Sequence, residues 1–329
     1  MRKNNKSKLD KSTPIYRIIN VFEVLAMLRT NKLRIAKLAC FEDDNEALDN
    51  ILHGLQVTAG PCRGSIGSHW EGNFDKALES HNLDKHSGFV SSWTTKAESV
   101  AMWSLYSNDF QGVRIKTSIR KLRNSIGLYY KNTSTTNLYR KSPKEEYLAT
   151  GDAYVAEVTY VNLEKIFNRI RRRKRAYDKL ESKLKSLNIE IDISKLKYSH
   201  TNFLNLPREK YLIKDMSFSH ENEIRAVIQV GKVDARQFDE IIDNRGFLPT
   251  TVNGLANRAS PKDFSDMLFI DTQEDFIEEV CIDPRCPPFK KLEIKRLFES
   301  LGVSVTESSA FGYYPKEDLF TDQFMKIND

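Results

Sequence analysis

Cysteine is scarce in this chain: Cys40, Cys62, Cys281 and Cys286 are the four among 329 residues. So few, with no export signal ahead of them, exclude the disulfide-stapled frameworks of small secreted domains, and free thiols are expected. Cys281 and Cys286 are the one close pair, and His69, His81 and His86 do not complete a ligand set at zinc spacing, so no metal is expected. Long apolar runs are lacking too. No stretch of about 18 apolar residues occurs, which excludes a membrane-spanning helix and a membrane partner. Phosphate-loop signals are missing: Gly60-Pro61-Cys62-Arg63-Gly64-Ser65-Ile66-Gly67 has neither the Gly-Lys-Ser/Thr ending of a P-loop nor dinucleotide-fingerprint spacing, and reads as a connector. No Gly-x-Ser-x-Gly elbow is present, so nothing points to ester or peptide hydrolysis.

Met1 to Ser12 carries five Lys or Arg and no apolar run, so it reads as a solvated basic tail (1–13) and not as a signal peptide. A cytoplasmic location follows as the expectation. The hydrophobic content of 40% is ordinary for a globular protein, and the net charge of +6 permits a polyanionic partner without requiring one.

The remaining periodicities predict a single α+β domain over 14–312, followed by a C-terminal tail over 313–329. Its sheet is expected to be mixed and mostly antiparallel, with flanking helices. Strands are expected at Ile15–Ile19, Leu33–Leu38, Gly88–Trp93, Val113–Lys116, Tyr154–Val161, Glu223–Val230, Met267–Ile270 and Ile277–Ile282. Helices are expected at Val21–Leu28, from Asn45 to about Leu55, at Ala97–Tyr106 and from about Lys290 to Leu301. Pro207–Lys214 reads as a turn or short helix, and Lys131–Glu146 and Asn244–Lys262 as polar loops. The longest helical signal runs from Leu163 to Leu187, an elaboration at about 162–188 with Leu163, Ile166, Phe167, Ile170, Tyr177, Leu180, Leu184 and Leu187 on one apolar stripe.

Four fragments carry possible chemistry. Glu221 and Glu223 lie two apart at the start of a strand, so both carboxylates face one side, with Arg225 as a nearby cation. A solvated edge strand would give the same pattern. Ser92 and Thr94 flank Trp93 at the end of a strand, where Thr94 or Thr95 with Glu98 also resembles a capping box; that accounts for Thr94 and leaves Ser92 unexplained. Trp103 and Tyr106 lie three apart on a helix and suit either a core stripe or a flat wall for a base or nicotinamide, while Met102 and Leu105 read as core. Tyr16-Arg17 opens the first strand, where Arg17 suits a phosphate or a salt bridge to Glu23 or Asp43. On the long helix, Arg169 and the run Arg171, Arg172, Arg173, Lys174 and Arg175 suit a phosphate backbone, or form a solvated face.

Taken in order, Tyr16-Arg17, Phe41 to Glu46, Ser92-Trp93-Thr94, Met102 to Tyr106, Gly112-Val113-Arg114-Ile115, Glu221 to Arg225 and Ile282-Asp283-Pro284 resemble the bacterial family known as domain of unknown function 2971. The order of Arg, Ser-x-Ser/Thr and Glu-x-Glu is also similar to the Arg-Ser-Glu layout of ADP-ribosyltransferases, which use NAD as donor. That likeness implies Arg17 on an NAD phosphate with Tyr16 and Thr94 beside it, Ser92 bracing the nicotinamide ribose, and Trp103 or Tyr106 stacking on a ring. Glu223 would stabilise the oxocarbenium ion and Glu221 would orient or deprotonate the acceptor. The expectation is an NAD-dependent ADP-ribosyltransferase-like protein of the bacterial toxin or phage-defence kind, with nucleic acid or protein as acceptor. The rival readings are a nucleic-acid-binding protein acting through 169–175 and a non-catalytic interaction protein.

Overall fold

The computed structural model describes residues 9–49, 51, 52, 55, 74–107, 109–133, 147–188, 204, 206, 207, 209–232 and 264–312. In chain order they form β1 (Pro14–Asn20), α1 (Val21–Thr30), β2 (Lys32–Lys37), α2 (Phe74–Ser87), β3 (Gly88–Thr94), α3 (Val100–Tyr106), β4 (Gly112–Ser118), α4 (Ile119–Thr133), β5 (Tyr147–Glu157) and β6 (Thr159–Val161). Then come α5 (Leu163–Ser186), β7 (Ile213–Asp215), a 3-10 helix (Met216–Glu221), β8 (Glu223–Lys232), β9 (Met267–Asp271), β10 (Glu279–Ile282), α6 (Pro288–Ser300) and β11 (Val305–Glu307). The expected α+β class, with mostly antiparallel pairing, is what the chain adopts. Among the described residues no helix is long and apolar enough to cross a membrane. The Gly60–Gly67 connector, most of the 131–146 loop, the Asn244–Lys262 stretch and the tails 1–8 and 313–329 lie outside the described residues.

The chain divides into two compact units, each assembled from separated segments. The first comprises Met1–Leu33, Trp93–Leu122 and Asp271–Asp329. Its strands run in the order β11, β10, β4, β1. β1 and β4 pair antiparallel along their whole length, from Pro14 opposite Ser118 to Asn20 opposite Gly112, and β11 joins β10 in parallel. The Asn20 side chain accepts from the Phe22 N–H and so starts α1 directly on the end of β1; Asn31, at φ 51°, ends it in the left-handed region that asparagine tolerates. α3 begins later than the expected Ala97, because Ser99 caps it through the Met102 N–H. The capping box reading of Thr94 is thereby corrected: its Oγ1 accepts from Lys96 N–H, while Glu98 pairs with Arg114. Trp103 is packed against Cys281, Ala310 and Ile18.

The second unit comprises Arg34–Ser92 and Arg123–Ile270. β5 and β8 form its longest antiparallel pair, with a register shift between Ala149 and Ala153. β8 also pairs β3, and β3 pairs β2 antiparallel with Ala36 opposite Val90. The expected Tyr154–Val161 strand divides into two: the Val158 N–H still reaches the Glu223 carbonyl in the β5–β8 register, but the Thr159 N–H turns to the Leu212 carbonyl and β6 goes on to pair β7 in parallel. That pairing also makes a strand of Ile213–Asp215, where a turn or short helix was expected. One apolar cluster gathers Leu38, Ala47, Val90, Tyr211, Leu212 and Val227; another holds Leu163 and Ile170 of α5 against Leu48, Leu52, Leu206 and Ile213. Gly88 marks the tightest approach: a Cβ there would meet Leu38 Cδ1 at 2.7 Å and the Asp84 carbonyl at 2.9 Å.

Candidate functional site

Arg225 has no exposed surface, and as the third residue of β8 it would be an uncompensated buried charge without partners. Its guanidinium forks onto both oxygens of Glu46 at 2.7 Å, donates to the Tyr211 carbonyl at 2.8 Å, and through Nε and Nη2 reaches Glu223 at 2.7 and 3.3 Å. Lys214, in the middle of β7, sits 2.7 Å from Glu221, 3.3 Å from Glu223 and 3.8 Å from Glu46, over the ring of Phe218. Three carboxylates therefore face two cations, which leaves one negative charge in the cluster.

Local geometry explains how the two acids converge. Glu221 ends a 3-10 helix, Asn222 turns the backbone at φ 45°, and Glu223 begins β8. The turn replaces the simple two-residue alternation expected of a strand, yet brings both carboxylates to Lys214. The Glu223 N–H donates to the Tyr160 hydroxyl at 2.7 Å, tying β6 to the same point.

Burial pushes the Glu223 carboxyl upward, but Arg225, Lys214 and a hydrogen bond from the Ser92 hydroxyl outweigh it and hold the group below its ordinary value. Burial likewise disfavours the charged Lys214, while Glu223, Glu221 and Glu46 raise it above the usual lysine value. Glu223 and Lys214 thus hold each other in their charged forms. Burial drives the Tyr160 phenol up to about 12, so it stays protonated as an acceptor for the Glu223 amide. Close by in the chain fold, Asp49 accepts from the Tyr211 N–H and is pushed by burial to about 6.

Of the residues singled out from sequence, Ser92, Glu221, Glu223 and Arg225 meet in this one place in the second unit. Tyr16, Arg17, Thr94, Trp103 and Tyr106 lie in the first unit, and the cations of 169–175 lie on α5 of the second. Arg17 pairs with Glu23 at 3.6 Å, the salt bridge anticipated as the alternative to a phosphate. Tyr16 is buried under the Arg114 guanidinium and pairs in register with Thr94, also buried. Trp103 is 0% exposed, so its indole belongs to the core and offers no open face, whereas Leu105, expected in the core, is 53% exposed and Tyr106 48%. Arg171, Arg172, Lys174 and Arg175 are exposed along α5 and Arg173 is half-buried.

Glu46, Lys214 and Tyr160 were not legible as site residues. Lys214 carried one signal, a lysine inside the apolar run Tyr211-Leu212-Ile213. Among the described residues no group of three or more His, Cys, Asp or Glu is arranged to hold a metal ion. The chemistry available is that of a fixed, ionised carboxylate pair with surplus negative charge, able to stabilise a cation.

The model of the family described as "Protein of unknown function (DUF2971)" matches residues 102–226. The match takes in Met102 to Tyr106, Gly112 to Ile115 and Glu221 to Arg225, three of the motifs that carry the resemblance. No curated protein matches the chain.

Proposed function

We propose that the protein is an ADP-ribosyltransferase-like enzyme that takes NAD as donor, with Glu223 as the carboxylate that stabilises the departing ribosyl cation. What carries the reading is the cluster of three carboxylates and two cations, in which Ser92 bonds to Glu223. In the reaction the bond between ribose C1′ and the nicotinamide nitrogen breaks, and its electron pair leaves with nicotinamide. Nicotinamide becomes neutral and the positive charge passes to the ribosyl carbon. A carboxylate already ionised and fixed by two cations needs no reorganisation to face that charge. The acceptor nucleophile then bonds to C1′ and gives up its proton, for which Glu221 is the base. Ser92 and Lys214 act as positioning residues, holding Glu223 in one rotamer.

The test is nicotinamide release from NAD by the pure protein, with protein and nucleic-acid acceptors supplied. Glu223→Gln is expected to lower the rate by about 100-fold or more. Because Glu223→Gln weakens the pairing of buried Arg225, Ser92→Ala and Glu221→Gln are measured beside it, each with its melting temperature. A folded wild-type protein that releases no nicotinamide with any acceptor ends the proposal. Loss of release in a folded Glu221→Gln or Ser92→Ala variant supports it.

A further inference from the structure

We infer that α5 is a docking surface for duplex DNA, a role that stands independently of the NAD chemistry. The helix holds ten Lys or Arg against three Asp or Glu, a net of +7, whereas the whole chain carries +6. The rest of the chain therefore sums to −1, the basic tail being offset by acidic residues elsewhere.

The first turns of α5 are fastened to the core. Asn162 caps the helix through the Lys165 N–H, Asp215 accepts from the Leu163 N–H, and Leu163 and Ile170 are buried in the core. After Ile170 the next five residues are all cations, and Arg171, Arg172, Lys174 and Arg175 are exposed. Arg171, Arg172 and Arg175 have no ion-pair partner among the described residues, while Lys174 meets Asp178 at 3.0 Å.

Successive helical residues turn by about 100°, so cations at 169 and 171–175 surround the axis, with Lys174 about 40° from the direction Ile170 uses to dock. A helix that lies on a membrane needs an apolar face along its length, and 171–175 has none. Leu180, Leu184 and Leu187 continue the stripe that Leu163 and Ile170 begin, but the block at 171–175 interrupts it. Cations on several sides at once suit a groove with phosphates on both walls. A helix about 10–12 Å across fits the B-form major groove of about 12 Å. The deep, narrow major groove of an RNA duplex does not admit it. Arginine's fork also binds phosphate oxygens in pairs.

The test uses the full chain and a labelled DNA duplex of roughly 20 base pairs, two helical turns. With about five phosphates engaged, the dissociation constant is expected to rise about 500-fold between about 50 and 200 mM salt. Arg171→Ala, Arg172→Ala and Arg175→Ala together are expected to weaken binding at least tenfold and to reduce the salt slope by about 3. Alanine favours the helix, and unchanged circular dichroism and melting temperature check this. The same three positions as lysine are expected to keep most of the binding. No duplex binding at low salt, binding unmoved by the alanine triple, or tighter binding to single-stranded RNA or anionic vesicles overturns the inference. Nicotinamide release without DNA is expected to be unchanged in the triple variant, so this inference and the NAD proposal fail separately.

Discussion

At the residue scale, Asp49 carries a cost that can be measured. Burial raises its carboxyl from 3.8 to about 6, so the folded state binds a proton that the unfolded state has already lost. The stability linked to that proton is fully present below pH 3.8 and is lost as pH rises through about 6, up to about 3 kcal/mol. Asp84, also raised by burial, adds to the same fall. Glu223 is lowered and works in the opposite direction, losing its contribution as pH falls below its ordinary 4.5. Denaturant unfolding of Asp49→Asn is therefore expected to show a flatter profile between pH 4.5 and 7 and higher stability at pH 7; equal slopes in the two proteins would refute the assignment. The paired acids Glu221 and Glu223 were legible in sequence because two-residue spacing is a local signal. Asp49, Glu46 and Lys214 were not, because what gives them meaning is Tyr211 or Arg225, brought near only by the fold.

At the element scale, α2 and β3 meet at Gly88 with no room for a side chain. Gly88→Ala forces a Cβ against Leu38 and the Asp84 carbonyl, and a loss of about 1–3 kcal/mol in stability is expected from thermal or denaturant unfolding. A neutral substitution would mean that α2 can shift. Elements with a strong one-sided pattern were readable: α5, β1, β3 and β8 lie within a residue or two of their expected limits. α2 was missed because Phe74 to Ser87 is mostly polar, whereas α4 carries a regular stripe of Ile119, Leu122, Ile126 and Tyr129 that the sequence did offer. Two breaks came from tertiary pairing. β5 and β6 separate where the Thr159 N–H turns to Leu212, and Ile213–Asp215 becomes a strand because β6 lies beside it.

At the scale of the whole molecule, α5 carries a net charge of +7 and the rest of the chain sums to −1. Such a distribution orients approach as well as strengthening contact. The association rate constant for duplex DNA is expected to fall at least tenfold between about 50 and 200 mM salt, and markedly less in the Arg171, Arg172 and Arg175 alanine triple, by stopped-flow anisotropy. A salt effect confined to dissociation would count against steering. The α+β class was readable because the two periodicities alternate along the chain. The division into two units was not, because each is built from separated segments and no linker or change of composition marks a boundary. The Glu46–Arg225 pair has a consequence for biosynthesis. The two residues are 179 apart in sequence. At about 5–20 residues per second, Glu46 leaves the ribosome roughly 10–35 s before its cation is made. Until then the segment around β2 is an unfinished nascent chain whose acid must stay hydrated, so the second unit closes late in translation.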